Sequence, residues 1–378
     1  MVEDSTRNSA SSHNVHLLVG FLSNEFTGLQ RYANDLVTRM STSNKIVGMK
    51  PPVGFGAPLP IVGGSLLHYF AYPSVVKREV PSGSLVHITS QDFAYIARLR
   101  PDLKCLVTCH DLIPFLYEKK HSLFWEFVLK GMVASTKVIC ISEYTKNCFI
   151  EACNQKSINV KKSSIKVIYQ GVDLEKFCPS GPQIPFDSLG LPTDAKSLLY
   201  VGSEQPRKNF EVVLQTFANL SKAHSNLYLL KAGRPNWFGA RRKYRSWLTE
   251  NNLIDKVRFL NYVPEKLMPA LYRTADVLIF PSRMEGFGWP PLEAMACGTP
   301  VAVSNSASLP EVVGDAAPKF SYNDVKSFSA FTEKILTDSI FRDKHILKGI
   351  ERSKDFDIQT KIEEMDSIYD EIRSENIK

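Results

Sequence analysis

The chain has 378 residues, of which 44% are hydrophobic and 22% are charged, a composition typical of a soluble globular protein. This length suits about two or three domains of ordinary size. No run reaches the roughly 18 apolar residues that a membrane-spanning helix needs. Seven cysteines without a regular spacing favour a reducing compartment, so we expect a cytoplasmic protein.

The net charge of +7 fits either a solvated surface slightly rich in lysine or an attraction to anions. The densest basic cluster, at positions 241–245, lies close to the aromatic residues Trp237 and Phe238. That cluster indicates a solvated helix face, and it leaves open a peripheral contact with anionic lipid at the inner face of a membrane. No nucleic-acid-binding motif is present, so nucleic acid is not an expected partner.

The chain begins with a polar stretch that lacks the apolar centre of a secretory signal, and positions 1–13 are predicted to form a disordered tail. About ten short apolar runs rich in β-branched residues follow, with helical patterns between many of them. This alternation predicts parallel sheets covered by helices on both faces, and about ten strands suit two doubly wound domains better than one. The predicted strands are 16–22, 85–89, 105–108, 138–141, 165–169, 198–201, 227–230, 257–260, 277–280 and 301–303.

Positions 177–187 carry three prolines and a glycine, which predicts a domain boundary there. We therefore expect an N-terminal domain over 14–178 and a C-terminal domain over 179–357. The final segment, 358–378, has apolar residues at helical spacing and predicts a terminal helix.

The stretch 275–317 is the most informative part of the sequence. A predicted strand leads into a loop carrying Glu285, Gly286, Phe287 and Gly288, and a short helix is expected from about Leu292 to Cys297. Free N–H groups at a helix start bind phosphate well, whereas carboxylates accept hydrogen bonds from hydroxyls. A ligand with phosphates in its middle and hydroxyls at both ends satisfies both features, which points to a nucleotide sugar.

The segment EGFGWPPLE, from Glu285 to Glu293, resembles the E-x7-E motif of the retaining GT-B glycosyltransferases of family 4. Four further segments resemble motifs of that family in the same order along the chain. They are VTCHDLIP (107–114), ICISEYTK (139–146), VIYQGVDLEKFCP (167–179) and YVGSEQPRKN (200–209). The resemblance covers most of the chain from about position 14. It implies an α/β protein of the GT-B fold, in which two doubly wound Rossmann-like domains face a central cleft and the terminal helix packs back on the N-terminal domain.

The resemblance also implies roles for residues of the C-terminal half. Glu285 would hold the sugar hydroxyls and Glu293 the ribose hydroxyls, although a helix-capping role for Glu293 is an alternative. Arg207 and Lys208 would neutralise charge on the leaving diphosphate, unless they form a plain solvated turn. Some members of the family carry an arginine where this chain has Ser203. We therefore expect the diphosphate to depend more on Arg207 here. Further donor contacts, largely through the backbone, are expected from Gly202, Ser203, Gly233, Tyr262, Val263, Gly286, Phe287, Gly288 and Leu292.

In the N-terminal half, the resemblance places His110 against the donor sugar near the reacting carbon, with Asp111 orienting the loop. The resemblance also implies that Gly28, which follows Thr27, approaches the diphosphate, although with one glycine the spacing alone is as consistent with a structural turn. Positions 50–80 are rich in glycine, proline and aromatic residues. Such a segment is typical of acceptor or membrane contact, or of ordinary loop packing.

The resulting hypothesis is a retaining hexosyltransferase that moves mannose from GDP-mannose to a hydroxyl of a glycan or lipid-linked acceptor. A UDP-sugar donor, glucose or N-acetylglucosamine, is the alternative. Two rival classes are a sugar-nucleotide epimerase and a non-catalytic nucleotide-sugar-binding subunit. No cofactor and no metal are expected, because no D-x-D motif follows a predicted strand and Arg207 with Lys208 can supply the positive charge.

Overall fold

The computed structural model describes residues 15–21, 28–49, 62–119, 123–235 and 237–375. The chain divides into two compact units. The first contains residues up to Tyr169 together with those from Gln359 onward, and the second is Gln170–Ile358. The predicted tail, Thr27 and positions 50–61 of the aromatic-rich segment lie outside the described residues.

The first unit is built on a parallel sheet, as its apolar runs predicted. The strand order is β2-β1-β3-β4-β5-β6, and neighbouring strands pair in parallel throughout the described part. Strands β3 and β5 are buried along their whole length, as expected for a sheet covered on both faces. The strands are β1 (Val15–Phe21), β2 (Asn44–Met49), β3 (Leu85–Ile88), β4 (Lys104–Cys109), β5 (Lys137–Cys140) and β6 (Ile165–Val167).

Helices connect these strands, and their apolar faces complete the core of the first unit. Phe115, Val128, Leu129 and Phe149 are fully buried against it. The helices are α1 (Gly28–Arg39), α2 (Val62–Glu79), α3 (Ile96–Leu99), α4 (Ile113–Leu116), α5 (Leu123–Ala134) and α6 (Glu143–Gln155).

The second unit repeats this architecture with the strand order β12-β11-β10-β7-β8-β9, again with parallel pairing. Its strands are β7 (Lys196–Val201), β8 (Leu227–Ala232), β9 (Val257–Asn261), β10 (Val277–Phe280), β11 (Val301–Ser304) and β12 (Lys319–Phe320). Its helices are α7 (Phe210–Leu220), α8 (Ala240–Glu250), α9 (Met268–Thr274), α10 (Trp289–Ala296), α11 (Leu309–Val313), α12 (Val325–Thr337) and α13 (Ser339–Ser353).

The terminal helix, α14 (Ile358–Ser374), packs on the first unit from Gln359 onward. The carboxylate of Asp366 accepts a 2.7 Å hydrogen bond from the Ser41 hydroxyl. Lys137 forms a 2.8 Å ion pair with Glu371 of the helix. These polar contacts flank the buried apolar face of α14, which ties the end of the chain to the sheet formed by its beginning.

The boundary between the units lies about nine residues earlier than the proline-rich segment suggested, at Gln170 rather than after Cys178. The intervening residues belong to the second unit because their backbone bonds there. The carbonyl of Gly171 accepts from the Trp289 indole at 3.2 Å, Val172 forms a parallel bridge with Asp357, and the carbonyl of Cys178 accepts from Arg273 at 3.0 Å.

In each sheet the chain reverses its direction of growth once. In the second unit it runs from β7 outward through β8 to β9 and then returns to place β10 on the other side of β7. Loops that leave neighbouring strands in opposite directions open a crevice at their carboxyl ends, where doubly wound folds bind ligands. The β7–β10 reversal is therefore the position in the second unit to inspect for a ligand site.

Candidate active site

The two loops that leave this reversal carry three of the four predicted catalytic residues. Arg207 and Lys208 lie in the 3₁₀ turn Pro206–Lys208 after β7, and Glu285 lies in the loop after β10. The ammonium nitrogen of Lys208 is 2.6 Å from Glu285 Oε1, and Arg207 Nη1 is 3.6 Å from Oε2 of the same carboxylate. The structure thus joins in one cluster the residues that the sequence assigned separately to the diphosphate and to the sugar.

Glu285 is 8% exposed, so its charge depends on these cations. Burial by itself would raise the pKa of its carboxyl, but the charges of Lys208 and Arg207 outweigh burial and hold the pKa below its ordinary value. Glu285 is therefore an anion at neutral pH, an acceptor-only group at the carboxyl edge of the sheet.

The loop after β10 is held in shape by contacts that the sequence did not reveal. The hydroxyl of Ser308, which precedes α11, contacts the carbonyls of Glu285 and Phe287 at 3.1 and 2.5 Å. Gly288 has a φ of 128°, and a Cβ there would lie 2.7 Å from the Cδ2 of buried Leu309. Glycine is thus required at this point by backbone conformation and by close packing.

Glu293 lies on α10, which begins at Trp289, three residues before the expected start. Pro290 and Pro291 occupy its first turn, where a missing N–H costs nothing. Glu293 is consequently the fifth residue of the helix, beyond the first turn, and the helix-capping alternative for it is wrong. Its Oε2 accepts a 2.6 Å hydrogen bond from the Tyr272 hydroxyl, which fixes the carboxylate in a buried position. Leu292 beside it is fully buried and packs as core.

The expected donor contacts Gly202, Gly233 and Tyr262 each follow directly after a strand, β7, β8 and β9 respectively. The N–H of Gly233 donates to the Asn261 carbonyl at 2.6 Å, and a Cβ on Gly233 would lie 2.4 Å from the Gly202 carbonyl oxygen. The Ser203 carbonyl accepts from the Tyr200 hydroxyl at 2.9 Å. Tyr262, which precedes Val263, is 47% exposed, and the Arg234 guanidinium lies 5.3 Å from its ring centre. Close-packed glycines and an exposed aromatic ring thus share this edge of the sheet.

A buried charge cluster beneath these loops was missed by the sequence analysis. Glu204 and Lys231 have fully buried side chains 3.3 Å apart, and Arg241 Nε lies 2.5 Å from the same carboxylate oxygen. Arg241 Nη1 donates to the Asn261 side chain at 3.0 Å. Burial lowers the pKa of Lys231 to about 8, despite the neighbouring carboxylate. The cluster connects the loop after β7 with strand β8, helix α8 and the end of β9.

The fourth predicted catalytic residue, His110, belongs to the first unit, directly after β4, and is 7% exposed. Its Nε2 lies 2.8 Å from the Thr89 carbonyl, and its backbone N–H donates to the Gln91 side chain at 3.0 Å. Burial lowers the pKa of His110 to about 4, so the ring is neutral at pH 7. Asp111 accepts from the Ile113 N–H at 3.0 Å and so orients the loop, and Gly28 is the exposed first residue of α1.

Two further observations concern metals and membranes. Within the described ranges, no group of three or more histidine, cysteine, aspartate or glutamate side chains is arranged to hold a metal ion. None of the helices in the part of the chain that the structure describes combines the length and apolar character needed to span a bilayer.

Comparison with known proteins gives matches to two family models in tandem. A model described as Glycosyltransferase Family 4 matches residues 10–176, and one described as Glycosyl transferases group 1 matches residues 183–352. Together the two models span most of the chain, and they meet close to the boundary between the units.

Individual proteins agree with these matches. The chain is 38% identical to the O-antigen chain mannosyltransferase B of Escherichia coli over 167 residues, 42% of this chain and 41% of that protein. It is 30% identical to the O-antigen chain mannosyltransferase RfbU of Salmonella typhimurium over 242 residues, 62% of each chain. The matches thus span 41% and 62% of these two relatives' own lengths.

Among solved structures, the Anabaena protein HepE in complex with UDP and glucose superposes with a TM-score of 0.76 at 16% identity, covering 95% of this chain and 99% of that one. This likeness confirms the predicted fold. On the family models and the fold together, the chain belongs to the GT-B glycosyltransferases of family 4, with the group 1 domain in its C-terminal half.

Proposed function

We propose that the protein transfers mannose from GDP-mannose to a hydroxyl of a glycan or lipid-linked glycan, with retention of the anomeric configuration. The observation that carries this proposal is the Lys208–Glu285–Arg207 cluster at the β7–β10 reversal. It offers cations for a diphosphate and an ionised carboxylate for sugar hydroxyls within a few ångströms of each other.

The cluster is suited to a donor whose negative charge grows during the reaction. As the bond between the anomeric carbon and the phosphate oxygen breaks, the leaving nucleoside diphosphate gains charge. Lys208 already donates to Glu285 Oε1, and an ammonium group with three N–H donors can serve more than one acceptor at once, a phosphate oxygen included. Fixed cations beside the leaving group stabilise the transition state more than the ground state.

Retention is proposed to follow a front-face route rather than a covalent enzyme intermediate. In that route the acceptor oxygen bonds to the anomeric carbon on the face that the diphosphate leaves, and the acceptor proton passes to the departing phosphate oxygen. The ion pair with Lys208 makes Glu285 a poor nucleophile, since attack would cost its strongest contact. Glu285 is instead assigned to the sugar hydroxyls, Glu293 to the ribose and His110 to the sugar near the reacting carbon.

The mannose donor is supported by the two O-antigen mannosyltransferases that the chain resembles. A UDP-linked glucose donor is the second candidate, because the structurally similar HepE was crystallised with UDP and glucose. The exposed Tyr262 ring with Arg234 above it suits stacking of either base.

A thermal-denaturation panel with GDP, UDP, ADP and their sugars separates the donors. Binding of the correct ligand raises the unfolding midpoint by mass action, and we expect GDP and GDP-mannose to give the largest shift. Product analysis with the preferred donor and an oligosaccharide acceptor then tests transfer, and EDTA should leave the rate unchanged. Donor conversion to an epimer, or binding without any turnover, would reject the transferase assignment.

A further inference from the structure

A column of buried hydrogen bonds links the terminal helix of the first unit to the neighbourhood of His110. Its members are Tyr369 on α14, His87 on β3, Thr108 on β4 and Tyr32 on α1. Tyr369, His87 and Thr108 are fully buried, and Tyr32 is 8% exposed. The proposed transfer mechanism assigns no task to any of these four side chains.

The contacts are short and continuous. His87 Nδ1 lies 2.6 Å from the Tyr369 hydroxyl, and His87 Nε2 lies 2.7 Å from Thr108 Oγ1. The Tyr32 hydroxyl is 2.9 Å from the same threonine oxygen. At the far end, the Tyr369 hydroxyl is 3.7 Å from the sulfur of Met40. All of these distances are within hydrogen-bonding range, with the longer one expected for sulfur.

The direction of the chain follows from counting hydrogens. If Tyr32 donates to Thr108, then Thr108 donates to His87 Nε2, His87 Nδ1–H donates to Tyr369, and Tyr369 donates to the Met40 sulfur. Each hydrogen then has an acceptor. In the opposite direction, the buried Tyr32 hydroxyl would have no recorded acceptor within the described part of the chain. An unsatisfied buried donor is costly, so the first direction is favoured.

Both histidines at this place are neutral: the hydrogen count requires it of His87, and burial lowers the pKa of His110 to about 4. Burial, with a smaller contribution from His110, lowers the pKa of His87 to about 3. The Nε2 of His110 faces the Thr89 carbonyl, which can only accept, so His110 carries its proton on Nε2 and leaves Nδ1 as an acceptor.

The column reaches His110 through packing and through the two strands. The Tyr32 ring meets the His110 ring edge-on, with ring centres 4.9 Å apart and an angle of 83° between the planes. Thr108 precedes His110 by two residues, and His87 precedes Thr89, the partner of His110, by two residues. Because alternate residues of a strand share one face, the column and His110 lie on the same face of the sheet.

We infer that Tyr369, acting through His87, Thr108 and Tyr32, is a positioning residue for His110, so that docking of the terminal helix sets the orientation of the proposed sugar-contacting ring. This inference rests on the proposed function for its effect on turnover. The structural part of the inference, that loss of the Tyr369 hydroxyl changes the orientation of the His110 ring, does not depend on that function.

The test compares Tyr369→Phe with Tyr72→Phe in the full-length protein. Tyr72 is a matched control: it is fully buried in the same unit and its hydroxyl donates to the Val47 carbonyl at 2.8 Å. Tyr72→Phe removes the hydrogen bond to the Val47 carbonyl, and Tyr369→Phe removes the bond from His87 and the weaker one to the Met40 sulfur, so both changes should lower the unfolding midpoint. Only Tyr369→Phe should lower kcat, by roughly tenfold, with the donor KM unchanged, since a small misplacement of a reacting group lowers the rate without weakening binding.

A second pair of variants keeps the test decisive if Tyr369→Phe folds poorly. Thr108→Ser retains the hydroxyl and Thr108→Val removes it, so only the valine variant should lower kcat. In parallel, the ring signals of His110 are followed by NMR on histidine-labelled protein and assigned with His110→Gln. We expect those signals to move in Tyr369→Phe and Thr108→Val and to stay in place in Tyr72→Phe.

The outcomes separate this inference from the proposed function. Unchanged His110 signals and unchanged kcat in Tyr369→Phe would overturn the inference while leaving transfer intact. If Tyr369→Phe and Tyr72→Phe change kcat and the His110 signals equally, the column contributes only ordinary core packing. If the wild-type protein transfers no sugar, the proposed function fails, and the ring signals alone decide whether the column positions His110.

Discussion

The ammonium nitrogen of Lys208 lies 2.6 Å from Oε1 of Glu285, although the two residues are 77 positions apart in the chain. They meet because β7 and β10 are neighbours in the sheet and each residue lies in the loop that leaves its strand. Exposed ion pairs usually contribute little to folding stability, but the side chains of Lys208 and Glu285 are only 14% and 10% exposed. The pair is therefore expected to matter for stability and for activity.

Replacing either partner should slow transfer strongly. We expect Lys208→Ala and Glu285→Ala each to lower kcat/KM by tenfold or more, about 1.4 kcal/mol at least, because the first removes the cation that stabilises the leaving diphosphate and the second removes the sugar contact. Steady-state assays with the preferred donor measure the loss. Lys243→Ala is the control, since Lys243 forms an exposed pair with Glu211 in the same unit and should leave the rate unchanged.

The same pair should show strong coupling in stability. Lys208→Met leaves the Glu285 carboxylate buried with Arg207 alone, at a cost of about 3 kcal/mol. The double variant Lys208→Met with Glu285→Gln also removes the buried carboxylate charge and should recover much of that loss. Urea unfolding of the single and double variants measures the coupling. Simple additivity of the two single changes would show that the pair is not a coupled unit.

Gly288 should tolerate substitution less well than another glycine with positive φ. In Gly288→Ala the new methyl group meets Leu309 at 2.7 Å in addition to backbone strain, and we expect a loss of about 2 kcal/mol or more. Gly239→Ala, where φ is 75° and no heavy atom lies within 4 Å, should lose only about 1 kcal/mol. Comparable unfolding midpoints for the two variants would contradict the packing argument.

The first unit should lose stability in mild acid because of its buried neutral histidines. The pKa values of His110 and His87 are lowered to about 4 and about 3 from an ordinary value of 6.5. Between the ordinary pKa and these lowered values, the histidines bind protons in the unfolded chain but not in the folded one. The free energy of unfolding is therefore highest above pH 6.5 and falls as the pH drops toward 4. Urea unfolding across this range measures the fall. His110→Gln should show a shallower fall than wild type, and an equally steep one would contradict the assignment.

Much of the fold was predictable because its signals are local. The apolar, β-branched runs predicted ten of the twelve strands found in the described residues, with boundaries within a few residues. The two missed strands carry weak signals: β2 mixes polar residues and a glycine with its apolar ones and leaves Ile46 exposed, and β12 is only two residues long. The predicted end of the short helix at about Cys297 is within one residue of the observed end of α10 at Ala296, and Gly298 follows with a positive φ of 78°.

The parts that escaped prediction depend on contacts between distant positions. Lys231 lies in an otherwise apolar strand, and its partner Glu204 is 27 residues away, so a buried pair cannot be inferred from either neighbourhood. Contacts assign residues 170–178 to the second unit, and this could not be foreseen because prolines mark a loop without indicating which unit its backbone bonds to. Tyr272 and Ser308 support Glu293 and the Glu285 loop, respectively, through side-chain contacts that have no local sequence signature.

A crystal structure of the protein with GDP-mannose tests the central claim most directly. The account predicts the diphosphate at the carboxyl ends of β7 and β10, with a phosphate oxygen about 3 Å from Lys208 Nζ and from the Arg207 guanidinium. The sugar hydroxyls should contact Glu285, and the ribose should contact Glu293. A nucleotide sugar bound at another place, with both carboxylates retaining only their protein contacts, would contradict the account.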